Sequence, residues 1–593
     1  MKNRSLLARA ACGLLAAAIT LTLTGCGQNL YKFPQYNFAG RPIPPSGLAN
    51  RVMVAIDNPS AFSGGQLEIL DANRDIRNNV ENTVYGFFIN GFSGRLPTTI
   101  ASFPEEEEGY VYGSGDGSYT RINYGTESVG GAVSGLPSVS DSVATTSAGT
   151  QVYAASGAVG GVIVVDNILG RSYALNLPGA QHIVANPGNS VILVTTRNTN
   201  NLYRILKLSN NVLPTGAYND CEPLSLPVYC VVPVQGTFDR PDAFVFSLDG
   251  STVYVLNCGP ECGDTATTAA SGVTVLNTTN LNVNNTQTPA PITGYSITGN
   301  VVTFTASPNN FAAGQSIVIS GLTTGTYLNG QTLTVLAGST TSQFSATFTH
   351  ATVAQTTDSG LATVASIASV PAPYNVAVPG GATIGLTDGV NLYVAGQELV
   401  TTANSATGIL QPFANAKGYF TGVFSILPLP LPAPVNGIST PVITPYSIPD
   451  GTHSSMLFAD DNTLWIGSTL CTTGARGYQS TLTANFTPGT INLNCLAAFT
   501  LGQTGTVTPP QIVPAVSPED PVPYPNQDNN QYYYGDLTGI CWVESLHKVY
   551  TAYGGQIHAF MTNNLTEINN SMITVQGTAE NVVYMDASTN AVN

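Results

Sequence analysis

Charge is what this 593-residue chain has least of. Asp, Glu, Lys and Arg together make up 9% of it, against roughly 25% in an ordinary soluble domain. Long helices need such residues on their wet face, so their scarcity disfavours a helical architecture. Positive charge is the scarcer sign: 18 Lys and Arg stand against 34 Asp and Glu, a net charge of −16. No basic run occurs outside the N-terminus, which argues against nucleic acid as a partner, because phosphate contacts need clustered cations. Catalytic signatures are missing too. There is no G-x-S-x-G elbow, H-E-x-x-H, phosphate-cradling Gly-Lys-Ser/Thr or dinucleotide fingerprint, and no cofactor is expected.

What the chain does have is a hydrophobic fraction of 43%, enough for a sizeable core, with Ser, Thr, Asn and Gly at the polar positions. At this length it must be several domains, a repeat or a large β structure. One phrase returns throughout: DSVATTSAGTQVYAAS (141–156), QHIVANPGNSVILVTT (181–196), DAFVFSLDGSTVYVLN (242–257), ATIGLTDGVNLYVAG (382–396), SMLFADDNTLWIGS (455–468) and GICWVESLHKVYTAY (539–553). A weaker copy begins at Thr99. Each is an apolar run, a polar or Gly turn and a V-Y-V-like strand, and Asp249-Gly250 and Asp388-Gly389 suit tight turns with positive φ. A third strand usually follows, as in GVIVVDN (161–167).

Sheets of four strands repeated every 40–60 residues predict an all-β fold, a β-propeller. RVMVAIDN (51–58) and GQLEILDAN (65–73) read as second and third strands lacking a first, and the final NVVYMDAS (581–588) reads as a first strand lacking the rest. Joined, they give eight blades closed by strands from both termini. Seven is the alternative, if one weak copy is a decorated loop. Residues 291–365 break the period with their own alternation and turns, and read as an inserted β domain. It falls before that blade's outer strand, expected near 365–370. The propeller then comprises 51–290 and 366–590. Over 50–590 this organisation resembles the bacterial propellers with lactonase-like, YVTN-type repeats.

The N-terminus carries an address. Lys2, Arg4 and Arg9 precede an apolar run, Ala11 to Leu23, too short for a comfortable membrane span and suited to a cleaved signal, 1–25. It ends in Leu23-Thr24-Gly25-Cys26, which resembles the bacterial lipobox. That resemblance implies that Cys26 becomes the acylated first residue, and Gly27 after it implies the outer membrane. Residues 26–50, rich in Pro and Gly, read as the tether.

Of the nine Cys, Cys12 leaves with the signal and Cys26 takes lipid. Cys221 with Cys230, Cys258 with Cys262 and Cys471 with Cys495 are plausible local disulfides, each contributing about 2–3 kcal/mol by loop closure. Zinc is the competing reading for Cys258 and Cys262, without a second ligand pair at the right spacing. Cys541, in GICWV, reads as a buried thiol. No two of the five His stand at metal-pair spacing, and His350, His547 and His558 read as structural. His182 and His453 are the ligand-binding candidates, because first strands line a propeller's channel. Tyr532 and Tyr533, with Tyr534, suggest an aromatic carbohydrate platform or packing against the last blade. Glu105–Glu108 and Asp460-Asp461-Asn462 invite a cation but already have a turn explanation.

The expected function is therefore a non-enzymatic binding scaffold, anchored by lipid, for a protein or glycan. The alternative is a lactonase-like hydrolase with its site at the channel. The anchor has a direct check. Cells fed labelled palmitate should label the wild-type chain and not Cys26→Ser, and equal labelling of both would remove the anchor.

Overall fold

The computed structural model describes residue 38 and residues 40–590, less 60–63, 76–86, 209–219, 223–227, 263–271, 282–288, 365–372, 401–418, 434–440, 470–495, 502–510, 513–536 and some shorter stretches. The described residues before Asn50 belong to a unit of their own. Within it the Arg41 N–H donates to Phe38 O at 3.0 Å and the Gly47 N–H to Pro44 O at 2.9 Å. Among the described residues no helix is long and apolar enough to cross a membrane.

From Asn50 onward the strands among the described residues form eight antiparallel sheets of four or five strands, and a ninth of six. The innermost strands of blades one to eight are Thr578–Tyr584, Pro97–Phe103, Ser142–Thr145, Ala180–Ala185, Pro241–Phe246, Ile384–Thr387, Thr452–Ala459 and Leu537–Val543. Each lies against the next, and the eighth lies against the first, so the ring is closed. The weak copy at Thr99 is a complete blade, which settles the count at eight rather than seven.

The V-Y-V phrase belongs to the second strand of each blade, which is buried on both faces. All six residues of Gln151–Ser156 are buried. Val152 and Ala154 enter a core shared with blade two, while Tyr153 and Ala155 enter one shared with blade four. Side chains of a strand alternate between faces, so a strand packed on both sides must be apolar throughout. The central aromatic always takes the forward side. Tyr254 packs toward blade six, Tyr393 toward seven, Trp465 toward eight and Tyr550 toward one. The polar tips of four of these five find partners, as buried tyrosine and tryptophan favour. Tyr153 Oη donates to Asn189 at 3.1 Å, Tyr393 Oη to Asp388 at 2.8 Å, and Trp465 Nε1 to Thr463 at 3.0 Å.

Blade one is built from both ends of the ring. Arg51–Asp57 pairs with Gly65–Asp71 on one side and with Thr578–Tyr584 on the other, in the register Val52↔Tyr584 and Val54↔Val582. Arg51 locks this seam. Its guanidinium donates to Asp586 Oδ1 at 2.6 Å, to Glu127 Oε1 at 2.9 Å and to Tyr124 O at 2.6 Å, and its backbone N–H donates to Asp586 Oδ2 at 2.7 Å. The three charged side chains are 4–5% exposed, so the buried cation and its two carboxylates compensate one another away from water.

Blade five is interrupted between its third strand, Gly272–Asn277, and its outer strand, Tyr374–Ala377. The outer strand therefore falls later than the expected 365–370, which lie outside the described residues. Between them stands the six-stranded sheet, Ala290 to Val364, with its own core of Tyr295, Phe304, Phe311, Ile317 and Phe344. The carboxylate of Asp358 pins its 323–325 turn by accepting from the Thr323, Thr324 and Gly325 N–H groups at 2.7–2.9 Å.

Removing one member of a buried charge cluster typically costs about 3–5 kcal/mol. Arg51→Ala should therefore lower the thermal midpoint by many degrees, whereas Arg197→Ala, in a pair whose side chains are 53% and 24% exposed, should lower it little. Scanning calorimetry of the two variants checks this.

Candidate functional site

Six inner strands carry a β-bulge near their first residues, and the bulges share one end of the channel. The ladder skips Thr98 in blade two, Asp242 in five, Ser454 in seven, Thr538 in eight and Glu580 in one; in blade four Gln181 and His182 together face one residue. A bulge leaves backbone groups unpaired and re-aims the extra side chain. Here the freed carbonyls are taken up by side chains of the preceding blade. Ser454 Oγ donates to Leu537 O at 3.3 Å, Thr538 Oγ1 to Ala579 O at 2.7 Å, and Asn581 Nδ2 to Thr98 O at 3.3 Å. Ser142 Oγ donates to Ile183 O at 3.3 Å and accepts from the Ile183 N–H at 3.2 Å. The result is a partial girdle of hydrogen bonds, running from blade seven through eight and one to two, and again from three to four.

Between blades four and five the tie is an imidazole–carboxylate pair. His182 Nε2 lies 3.1 Å from Asp242 Oδ1, the side chains being 38% and 18% exposed. Next to it, Arg197 binds Asp141 across blades four and three at 2.5 Å. Glu580 stands on blade one, away from this arc. Burial holds its carboxyl above the ordinary 4.5, and Asp57 pushes the same way. Beyond the bulges the inner strands turn apolar, with Val143, Val184, Phe244, Leu386 and Met456 half-buried against the cores between blades.

The other residues singled out from sequence go elsewhere. His453 does not line the mouth. It occupies the ladder position before the Ser454 bulge and is 3% exposed. His558 is buried with Glu567 and Gln556, and His350 lies flat on Tyr327 in the inserted sheet, ring centroids 4.2 Å apart. Glu105–Glu108 do not converge on a cation: Glu108 is buried, paired with Arg121 and accepting from Tyr110 Oη at 3.1 Å. Cys221 and Cys230 face each other in register and are bonded, as are Cys258 and Cys262. Burial pushes the thiol of Cys541 well up, so it is no nucleophile. Cys26, Cys471, Cys495, Tyr532 and Tyr533 lie outside the described residues.

Chemically, the mouth offers hydroxyls, an amide, an imidazole and two separated carboxylates. The His182–Asp242 pair has the form of an oriented general base. No hydroxyl or thiol among the described residues is hydrogen-bonded to that imidazole, and the Ser142 hydroxyl is committed to Ile183. The bulges were not expected from sequence. Their signal was the small polar or charged residue that opens each inner-strand phrase.

The closed ring of eight blades makes this chain a β-propeller with one inserted β sheet. No protein-family model matches the chain, and no curated protein does. Solved structures similar to it include the dihydro-heme d1 dehydrogenase NirN in complex with DHE, at 11% identity and a TM-score of 0.42, covering 93% of this chain and 80% of that one. Apo AztD from Citrobacter koseri is 9% identical with a TM-score of 0.37, covering 90% and 98%. A putative 6-phosphogluconolactonase from Bacteroides fragilis is 10% identical with a TM-score of 0.34, again covering 90% and 98%. At such values the likenesses carry no functional argument, and the fold rests on the strand pairing itself.

Glu580 gives the mouth a pH dependence. An acid whose folded-state pKa is raised holds its proton more tightly in the fold, so its ionisation opposes folding. Glu580→Gln should raise the thermal midpoint at pH 7, and the difference should vanish below the ordinary carboxyl value of 4.5, where both states are protonated. Melting curves from pH 4 to 8 check this, and a gain that is the same at every pH would contradict it.

Proposed function

We propose that this chain is a bacterial envelope lipoprotein whose propeller is a non-enzymatic binding scaffold, taking a protein or glycan ligand at the bulged mouth of its channel. One observation carries the reading. Thr98, His182, Asp242, Ser454, Thr538 and Glu580 are turned off the ladder at the same end, while the backbone behind them is tied blade to blade. Polar groups held by a rigid ring lose little freedom on binding, which is what a recognition surface needs. The lipobox-like Leu23-Thr24-Gly25-Cys26 supports anchorage by lipid, and Gly27 supports the outer membrane. The inserted sheet, with a core of its own, is a second surface for contact.

A lactonase-like hydrolase is the second reading, favoured by the His182–Asp242 pair at the same mouth. The engagement of Ser142 with Ile183 supports binding over catalysis.

The test uses the lipid-free chain, Cys26→Ser, against arrays of envelope glycans and surface proteins. A ligand should be captured, and Asp242→Ala should weaken that capture about tenfold or more while the fold is kept. Capture unchanged in both Asp242→Ala and His182→Ala would overturn the mouth as the site. Lactone hydrolysis lost in His182→Ala would replace scaffold with enzyme.

A further inference from the structure

The hairpin joining the first two strands of blade seven ends on Asp460-Asp461-Asn462, and the corresponding turn of blade eight ends on His547. These turns meet at the seam between the blades, at the opposite end of the inner strand from the Ser454 bulge. One carboxylate oxygen from each Asp and one imidazole nitrogen all lie within 4.8 Å of one another. His547 Nδ1 is turned onto Asp460 Oδ2.

Groups outside the cluster hold these side chains in place. Trp542 Nε1 donates to Asp460 Oδ1 at 3.1 Å, and Thr562 Oγ1 donates to Asp461 Oδ2 at 2.8 Å. Hydrogen bonds to the outer oxygens of ligating carboxylates are the usual way of orienting a metal site. Two carboxylates share this seam with one imidazole, Asp460 being paired with His547, and the neighbouring Lys548 is taken by Asp75 at 2.8 Å. Calcium and magnesium prefer all-oxygen sets, so an imidazole beside two carboxylates selects a borderline cation. Three protein ligands on an open rim leave a fourth position for water.

We propose that the seam between blades seven and eight is a binding site for a zinc-class divalent cation, ligated by Asp460, Asp461 and His547. The ion would staple two blades at the face remote from the channel mouth, independently of what the mouth binds.

Zinc chloride titrated into the lipid-free chain, by calorimetry and by thermal melting, tests this. One zinc should bind and raise the thermal midpoint, because a ligand that binds only the folded state stabilises it. His547→Ala and Asp461→Asn should each weaken zinc binding about tenfold or more and abolish the shift, with melting in the absence of zinc showing that they fold. His547→Gln serves if His547→Ala does not fold. Zinc stoichiometry and shift unchanged in these variants, no binding at roughly 100 μM zinc, or an equal shift with calcium would each overturn the site.

Discussion

The pairing of the chain's last strand with its first is the constraint on which the molecule depends. Every blade buries both faces of its middle strands against neighbours, so none has a solvent face to fall back on. A ring open at one seam would expose two such faces at once. The register Val52↔Tyr584 closes that seam, and Arg51 fixes it by binding Asp586 beyond the last strand and Glu127 of the next blade. Three elements far apart in sequence thus share one buried guanidinium. Radial packing of the blades also leaves only short outer edges, a durable solution for a chain with so few charges to keep it soluble.

The same ring determines what the mouth can be. The girdle ties Ser454, Thr538 and Asn581 each to the backbone of the following blade, so the polar groups there sit on a frame rather than on loops. Where hydroxyls and an amide give way to an imidazole and a carboxylate, at His182 and Asp242, the mouth acquires its one His–Asp junction between inner strands among the described residues. That arc over blades three to five marks one side of the opening, apart from Glu580 on blade one.

Much of the architecture was legible in the sequence because it depends on alternation and on turn chemistry. The V-Y-V phrase marked the second strands, Asp249-Gly250 and Asp388-Gly389 marked turns where Gly250 and Gly389 take φ of +68° and +86°, and the unmatched end strands revealed the closure. The site was legible only in part. A bulge adds one residue and reverses the facing of its strand at that point, which a count of apolar positions does not register. His453 and His182 open similar phrases, yet one takes a ladder position and is buried while the other falls in the bulge and reaches the mouth. The meeting of Asp460 with His547 was hidden for another reason: 87 positions separate them, and only the closing of adjacent blades brings their turns together.

The forward-pointing aromatics have a consequence for ancestry. Tyr153, Tyr254, Tyr393, Trp465 and Tyr550 each lodge in the sheet ahead, so one duplicated segment brings a knob together with the socket for its predecessor's knob. Rings assembled this way can lengthen one unit at a time without inventing a new joint, and their copies can then drift in sequence while the joint keeps its sense of rotation.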